Sequence, residues 1–181
     1  DLNSVIKTFE ESKKPIVATL HGTPLGGGLE LAMGCNYRVA ISSTKLGLPE
    51  VKLGIIPGAG GTQRLPRLAG VEKALTMITS GTPVSASDAL KSGVIEEIFE
   101  DALVANAISF IKGKLQQEDH PVASKLTDKI SNIDSDIFEE FSKKIKNKLR
   151  GRNSPLCAIE AVKAATELDF SQGLEKEREL F

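Results

Sequence analysis

Two glutamates, each close to a glycine-rich bend, are the residues of this sequence best suited to chemistry. Glu30 directly follows the run Leu25-Gly-Gly-Gly-Leu29, and Glu50 follows Leu48-Pro49 shortly before a second bend at 57–61. Glycine-rich bends can direct backbone N–H groups at a ligand, and paired carboxylates can transfer protons. The pattern therefore predicts acid/base chemistry beside a backbone pocket that stabilises an anion.

The first bend is expected to open a helix near Gly26. The unpaired N–H groups and the positive dipole end of that helix would stabilise negative charge on a carbonyl oxygen. Glycines let a substrate approach the backbone without meeting a Cβ, so we expect Gly26, Gly28 and Pro57 to contact the substrate. Two carboxylates facing one apolar pocket would repel each other, so the pKa of at least one should rise.

Each bend also has simpler interpretations. Gly-Gly-Gly is a common flexible turn, and a glutamate in the first turn of a helix is often a capping or dipole residue. A phosphate-binding loop is a further alternative, but the Gly-Lys-Ser/Thr ending of a P-loop is absent. No GxGxxG fingerprint follows the first strand, which argues against dinucleotide binding within this chain.

The elements around the first bend predict a βαβ unit. Residues 16–20 and 37–41 are rich in β-branched and aliphatic side chains, as in strands buried on both faces. A run of helix formers lies between them, so the sheet should be parallel. The other predictions are helices at 1–12, 60–68, 71–79, 85–92, 101–115, 137–149, 155–168 and from about 172, a strand at 94–99, and an irregular connection at 116–136.

Composition excludes several classes of protein. The 181 residues suit one compact unit, and the net charge of −1 gives no basic field for nucleic acid. The basic stretch 143–152 is interpreted as the solvated face of a helix, with a phosphate-binding patch as the alternative. Two distant cysteines are expected to be buried and reduced, and two scattered histidines argue against a metal site. No apolar run is long enough to span a membrane.

The motifs at 26–33, 47–54 and 57–65 together resemble the crotonase (enoyl-CoA hydratase/isomerase) superfamily. The stretches 157–162 and 173–181 are similar to the C-terminal region of that family. The sequence looks most like the hydratase domain of multifunctional fatty-acid β-oxidation enzymes. The resemblance implies an α/β fold: a crotonase-like ββα spiral with a helical C-terminal part.

The resemblance also implies a role for each glutamate. Glu30 and Glu50 correspond to the catalytic carboxylates that hold and activate water for syn addition to a 2-trans-enoyl-CoA. The N–H of Gly27 matches one half of the oxyanion hole, and the N–H of Gly58 matches a group near the catalytic water. In isomerases the glutamate matching Glu50 acts alone, so the pair favours hydratase over isomerase. A non-catalytic crotonase scaffold is the third interpretation.

The sequence departs from the family pattern in ways that affect activity. The other oxyanion donor and much of the CoA adenine site belong to an upstream segment, so the N-terminal portion of the fold is expected to be missing. The family's final helices are likewise expected to be missing after Phe181, and Pro24 stands where the family more often has a small residue. We expect this polypeptide alone to be inactive.

The chain is divided here into a partial crotonase core at 1–115, a variable connection and helix at 116–154, and a C-terminal helical region at 155–181. We expect no cofactor, since coenzyme A is part of the substrate and NAD would bind only a downstream domain. The expected partners are an acyl-CoA and either the rest of a longer chain or an oligomer. Bacterial cytoplasm is the expected compartment, with the peroxisome as the alternative.

Overall fold

A computed structural model describes residues 1–146, 151 and 153–181. Within these residues the chain forms nine α-helices and five β-strands. The strands are β1 Val17–Leu20, β2 Tyr37–Ile41, β3 Lys45–Leu46, β4 Val84–Ser85 and β5 Glu97–Phe99. The helices are α1 Leu2–Glu10, α2 Gly27–Met33, α3 Gly61–Ala69, α4 Val71–Ser80, α5 Ala86–Ser92, α6 Leu103–Lys112, α7 Asp136–Lys146, α8 Ser154–Glu167 and α9 Phe170–Leu180.

The predicted βαβ unit is confirmed. Strands β1 and β2 are parallel, with Val17 paired to Tyr37, and α2 connects them. Strand β5 adds to the other edge of β2, also in parallel, which gives the sheet order β1-β2-β5. The first glycine-rich bend therefore lies between the carboxyl end of β1 and the start of α2.

Two further backbone pairings were not predicted from the sequence, and one of them connects the segments that carry Glu30 and Glu50. The two-residue strands β3 and β4 pair in antiparallel register, and just beyond β3 an isolated parallel bridge joins Leu25 to Gly47. In that bridge the N–H of Gly26 donates to the carbonyl of Gly47 over 3.0 Å. The chain leading to Glu50 is thereby held beside the bend that precedes Glu30.

Most predicted helices are present, and two predicted boundaries are corrected. The strand expected from Val94 begins only at Glu97, because the N–H of Val94 bonds the carbonyl of Ala89 at the end of α5. The last helix begins before Gln172, since the Asp169 side chain accepts from its N–H and caps α9.

The predicted irregular connection at 116–136 is present over residues 116–135, with one short 3-10 helix at Ala123–Lys125, and Asp136 already belongs to α7. Side chains from β2 and the residue before it hold this connection in place. The Tyr37 hydroxyl lies 2.9 Å from Gln117 Oε1 and 3.0 Å from His120 Nδ1, and Asn36 donates to the carbonyl of Pro121. The helix predicted at 137–149 is described as far as Lys146. Residues 147–149, and part of the basic stretch 143–152, lie outside the described residues.

The core lies between the sheet and the helices α2, α3, α4, α5 and α8. It contains fully buried aliphatic side chains such as Leu29, Leu65 and Leu75. Cys35 is buried as predicted, but the prediction that Cys157 is also buried is wrong, because this residue of α8 is partly exposed. None of the described helices has the length and hydropathy that a bilayer-spanning segment needs.

Candidate active site

Glu30 is buried against the second glycine-rich bend. Its side chain leaves the buried face of α2 and is 2% exposed. Its Oε1 accepts hydrogen bonds of 2.8 Å from the N–H groups of both Ala59 and Gly61. No donor among the described residues contacts its second oxygen, Oε2, so that oxygen is free to bind a ligand or water.

Glu50 reaches the same region from the opposite segment. It begins a 3-10 helix, Glu50–Leu53. Its Oε1 lies against the backbone of Gly26, where a Cβ would come within 2.9 Å of that oxygen, and Gly26 has a φ of 55°. The positive φ favours glycine at this position, and a Cβ there would displace the Glu50 carboxylate. The other oxygen of Glu50, Oε2, is buried and has no partner among the described residues.

Both glutamates line one cavity of about 320 Å³. The remaining lining residues come from the segment after the 3-10 helix and from the last turn of α9: Ile55, Gly58, Ala59, Arg178 and Phe181. The Phe181 ring covers Gly58 so closely that a Cβ there would lie 2.7 Å from the ring. A larger cavity of about 760 Å³ adjoins α1 and α9, but neither glutamate lines it.

The two glutamates have different electrostatic environments in the cavity. Burial raises the pKa of Glu50 to about 7, and the charge of Glu30 adds to this rise. Burial also raises the pKa of Glu30, although the N–H groups of Ala59 and Gly61 and the charge of Arg64 oppose that rise. Near neutral pH, Glu50 can therefore supply a proton while Glu30 is stabilised as a carboxylate by two N–H groups.

The backbone N–H groups of the two bends are not equally available. Those of Gly27 and Gly58 have no acceptor among the described residues, whereas that of Gly28 bonds the carbonyl of Leu25. The N–H groups of residues 59–62 all bond buried carboxylates.

The predicted site residues are thus only partly brought together. Glu30, Glu50 and Gly58 line the cavity, and Gly26 contacts Glu50. Gly27 and Gly28 form the first turn of α2, outside the cavity lining. Pro57 is also outside the lining and packs against Gly61.

Two buried polar interactions beside the site were missed from the sequence. Glu177 of α9 accepts from the N–H groups of Gly60 and Thr62. Arg64 of α3 forms a two-pronged ion pair with Glu10 of α1, with both N–O distances at 3.0 Å. The C-terminal stretch containing Glu177 is similar to that of the crotonase family, but no local sequence pattern indicates the contacts of Glu177. Across the described residues, no group of three His, Cys, Asp or Glu side chains is arranged to hold a metal ion.

The parallel sheet, the glycine-opened helix and the two glutamates that line one cavity define an α/β protein with a carboxylate pair in a common cavity. The family model described as enoyl-CoA hydratase/isomerase matches residues 2–153. The chain therefore belongs to the enoyl-CoA hydratase/isomerase family, as its motifs had indicated.

Two curated relatives and one solved structure illustrate this membership. The chain is 40% identical over 182 residues to the peroxisomal bifunctional enzyme of Cavia porcellus, covering 99% of this chain and 25% of that protein. It is 42% identical over 176 residues to the fatty acid oxidation complex subunit alpha of Vibrio parahaemolyticus, covering 92% of this chain and 25% of that protein. The chain thus spans about a quarter of the length of these relatives.

The structure is similar to that of an enoyl-CoA hydratase from Bacillus anthracis. The TM-score is 0.59 at 30% sequence identity, with 99% of this chain and 57% of that chain covered. This similarity confirms the predicted crotonase-like α/β fold with its helical C-terminal part.

Proposed function

We propose that this chain carries the hydratase chemistry of a fatty-acid β-oxidation enzyme, the syn addition of water to a 2-trans-enoyl-CoA. One observation carries the proposal: Glu30 and Glu50 line one cavity and have different environments. Glu30 is hydrogen bonded by two N–H groups, whereas Glu50 has a buried oxygen without a partner and a pKa of about 7. Addition of water to a carbon–carbon double bond needs one base and one acid.

The proposed reaction assigns one step to each group. The free Oε2 of Glu30 accepts a proton from water as the water oxygen forms a bond to C3 of the thioester. Glu50 delivers its proton to C2, so both new bonds form on the face that lines the cavity. The N–H of Gly27, which has no acceptor among the described residues, hydrogen bonds the thioester oxygen while negative charge develops on it.

The cofactor, compartment and domain assignments remain part of this proposal. The hydration chemistry needs no cofactor, because Glu30 and Glu50 provide both proton transfers. An NAD-dependent step would belong to another part of a longer bifunctional protein. The names of the relatives support both a bacterial and a peroxisomal setting. In the proposed division, 1–115 holds both glutamates and 155–181 adds the α9 wall of the cavity.

Isomerisation of a 3-enoyl-CoA is the second candidate function. The unpartnered oxygen of Glu50 favours it, since one carboxylate can move a proton between C2 and C4 without help from Glu30. The two functions therefore differ in their need for Glu30.

Crotonyl-CoA hydration, followed by loss of the absorbance of the conjugated thioester, tests the proposal. The full-length protein that contains this chain should consume crotonyl-CoA, and Glu30→Gln in that protein should reduce the rate by about 10²–10⁴-fold. Glu72→Gln is the matched control, because Glu72 is an exposed glutamate of α4. Hydration unaffected by Glu30→Gln would refute the hydratase proposal. Conversion of a 3-enoyl-CoA that survives Glu30→Gln but not Glu50→Gln would support the isomerase instead.

A further inference from the structure

A third buried carboxylate, that of Glu177, lies behind the candidate site and is not needed for the proposed chemistry. The side chain is 1% exposed. Its Oε1 accepts from the N–H of Gly60 over 2.7 Å, and its Oε2 accepts from the N–H of Thr62 over 3.0 Å. The Thr62 hydroxyl lies 2.5 Å from the same Oε2.

The N–H groups of residues 59–62 alternate between two carboxylates. Those of Ala59 and Gly61 donate to Glu30, and those of Gly60 and Thr62 donate to Glu177. Peptide units are planar and rigid, so fixing alternate N–H groups also fixes the peptides between them. The orientation of the two donors to Glu30 therefore depends on Glu177.

Packing alone does not account for a carboxylate at this position. A buried carboxylate is costly unless its hydrogen bonds repay the loss of hydration. Burial raises the pKa of Glu177 to about 7, and the charge of Glu30 adds to the rise. Gln63 Nε2 donates to the Thr62 hydroxyl oxygen over 3.0 Å and to the carbonyl of Ala161 over 2.8 Å, and so extends the hydrogen-bond network from α3 to α8. The arrangement is a polar network built around the bend.

We propose that Glu177 is a positioning residue: by holding Gly60 and Thr62, it aims the N–H groups of Ala59 and Gly61 at Glu30. The inference rests on the proposed function, because it takes Glu30 as the base. Other charged groups also face this region. They are Glu50, Arg64 of α3, and Arg178 of α9 at the cavity wall.

The test compares Glu177→Gln with two variants of its partner, Thr62→Val and Thr62→Ser. In the Glu177→Gln variant, the side-chain amide N–H₂ must face a backbone N–H, and both groups are donors. We therefore expect the bend to shift and its hydrogen bonds to Glu30 to lengthen. Since a 1 Å misplacement can reduce a rate about 10²-fold, we expect kcat for crotonyl-CoA hydration to fall about 10–100-fold with KM within about threefold. Thr62→Val should lower kcat by a smaller factor, and Thr62→Ser, which keeps the hydroxyl, should retain wild-type kcat.

A second readout is the pKa of Glu30, measured by carboxyl carbon-13 NMR with Glu30→Gln used for assignment. Loss of the N–H bonds should raise this pKa in Glu177→Gln and in Thr62→Val. If the only effect were the loss of a neighbouring negative charge, the pKa of Glu30 would fall instead. If Glu177 only supported the fold, the pKa of Glu30 would not change. Either of those results, or wild-type kcat in both variants, would overturn the inference.

The two proposals fail in different ways. A full-length protein without hydratase activity refutes the proposed function, while the Glu30 titration still tests whether Glu177 positions its donors. If Glu177→Gln does not fold, Thr62→Val provides the same two readouts. An unchanged Glu30 pKa in folded Thr62→Val would then overturn the inference.

Discussion

The raised pKa of Glu50 should make the folded protein less stable as the pH rises through the range from 4.5 to about 7. Within this range the folded state binds a proton at Glu50 that the unfolded state, with a pKa near 4.5, has already lost. Stability falls with pH wherever the folded state binds more protons. The contribution of Glu50 is therefore fully favourable below pH 4.5 and is lost above pH 7.

The expected magnitude follows from the same two values. A difference from 4.5 to about 7, at about 1.36 kcal/mol per pH unit, gives an upper limit of about 3 kcal/mol. Glu50 is only partly buried, and solvent screening reduces the expected change to about 1–2 kcal/mol. Glu50→Gln cannot ionise, so it should lack this part of the pH dependence.

Urea unfolding of the wild type, Glu50→Gln and the exposed control Glu72→Gln at pH 5 and pH 8 measures the effect. The amide of Glu50→Gln has its own cost of burial, but that cost does not change with pH. The stability of Glu50→Gln relative to wild type should therefore rise by about 1–2 kcal/mol from pH 5 to pH 8. If the difference in unfolding free energy between Glu50→Gln and wild type is the same at pH 5 and pH 8, the reasoning is refuted. A similar rise in Glu72→Gln would refute it as well.

Three further predictions concern the site and its support. The kcat for hydration should decline above about pH 7 as Glu50 loses its proton, and a rate that keeps rising there would contradict its role as the acid. Gly61→Ala should reduce kcat by about 10-fold or more, because the new Cβ would lie 2.7 Å from the Oε1 of Glu30. Gly113→Ala is the control, because its new Cβ would make only ordinary van der Waals contacts. Equal kcat values for Gly61→Ala and Gly113→Ala would contradict the prediction. Glu10→Gln should lower the free energy of urea unfolding by about 3 kcal/mol, because it leaves the buried Arg64 charge unpaired, and an unchanged midpoint would contradict this.

The features predicted correctly from the sequence depend on neighbouring residues. The βαβ unit and the helix predicted at 85–92 follow from short-range patterns. In that helix, α5, the Ser85 side chain accepts from the N–H of Asp88 only three residues away. The prediction that one carboxyl pKa rises also agrees with the structure, since burial and repulsion both act on Glu50. The catalytic roles of Glu30 and Glu50 remain predictions.

The features that were missed depend on distant residues. Glu177 and Thr62 are separated by 115 positions, and no periodicity links a glutamate in an amphipathic helix to a glycine turn so far away. The bridge between Leu25 and Gly47 is a single backbone pairing, too short to leave an alternating pattern. The availability of N–H groups could not be predicted either, because Glu30 and Glu177 occupy those of residues 59–62 only once the chain has folded.

Hydration of crotonyl-CoA in deuterium oxide, followed by proton NMR, tests the central claim most directly. If Glu30 activates water and Glu50 supplies the C2 proton from one cavity, the product should carry a single deuterium at C2, on the same face as the new C3 hydroxyl. Glu30→Gln should form almost none of this product. Deuterium on the opposite face, or equal incorporation by wild type and Glu30→Gln, would contradict the account.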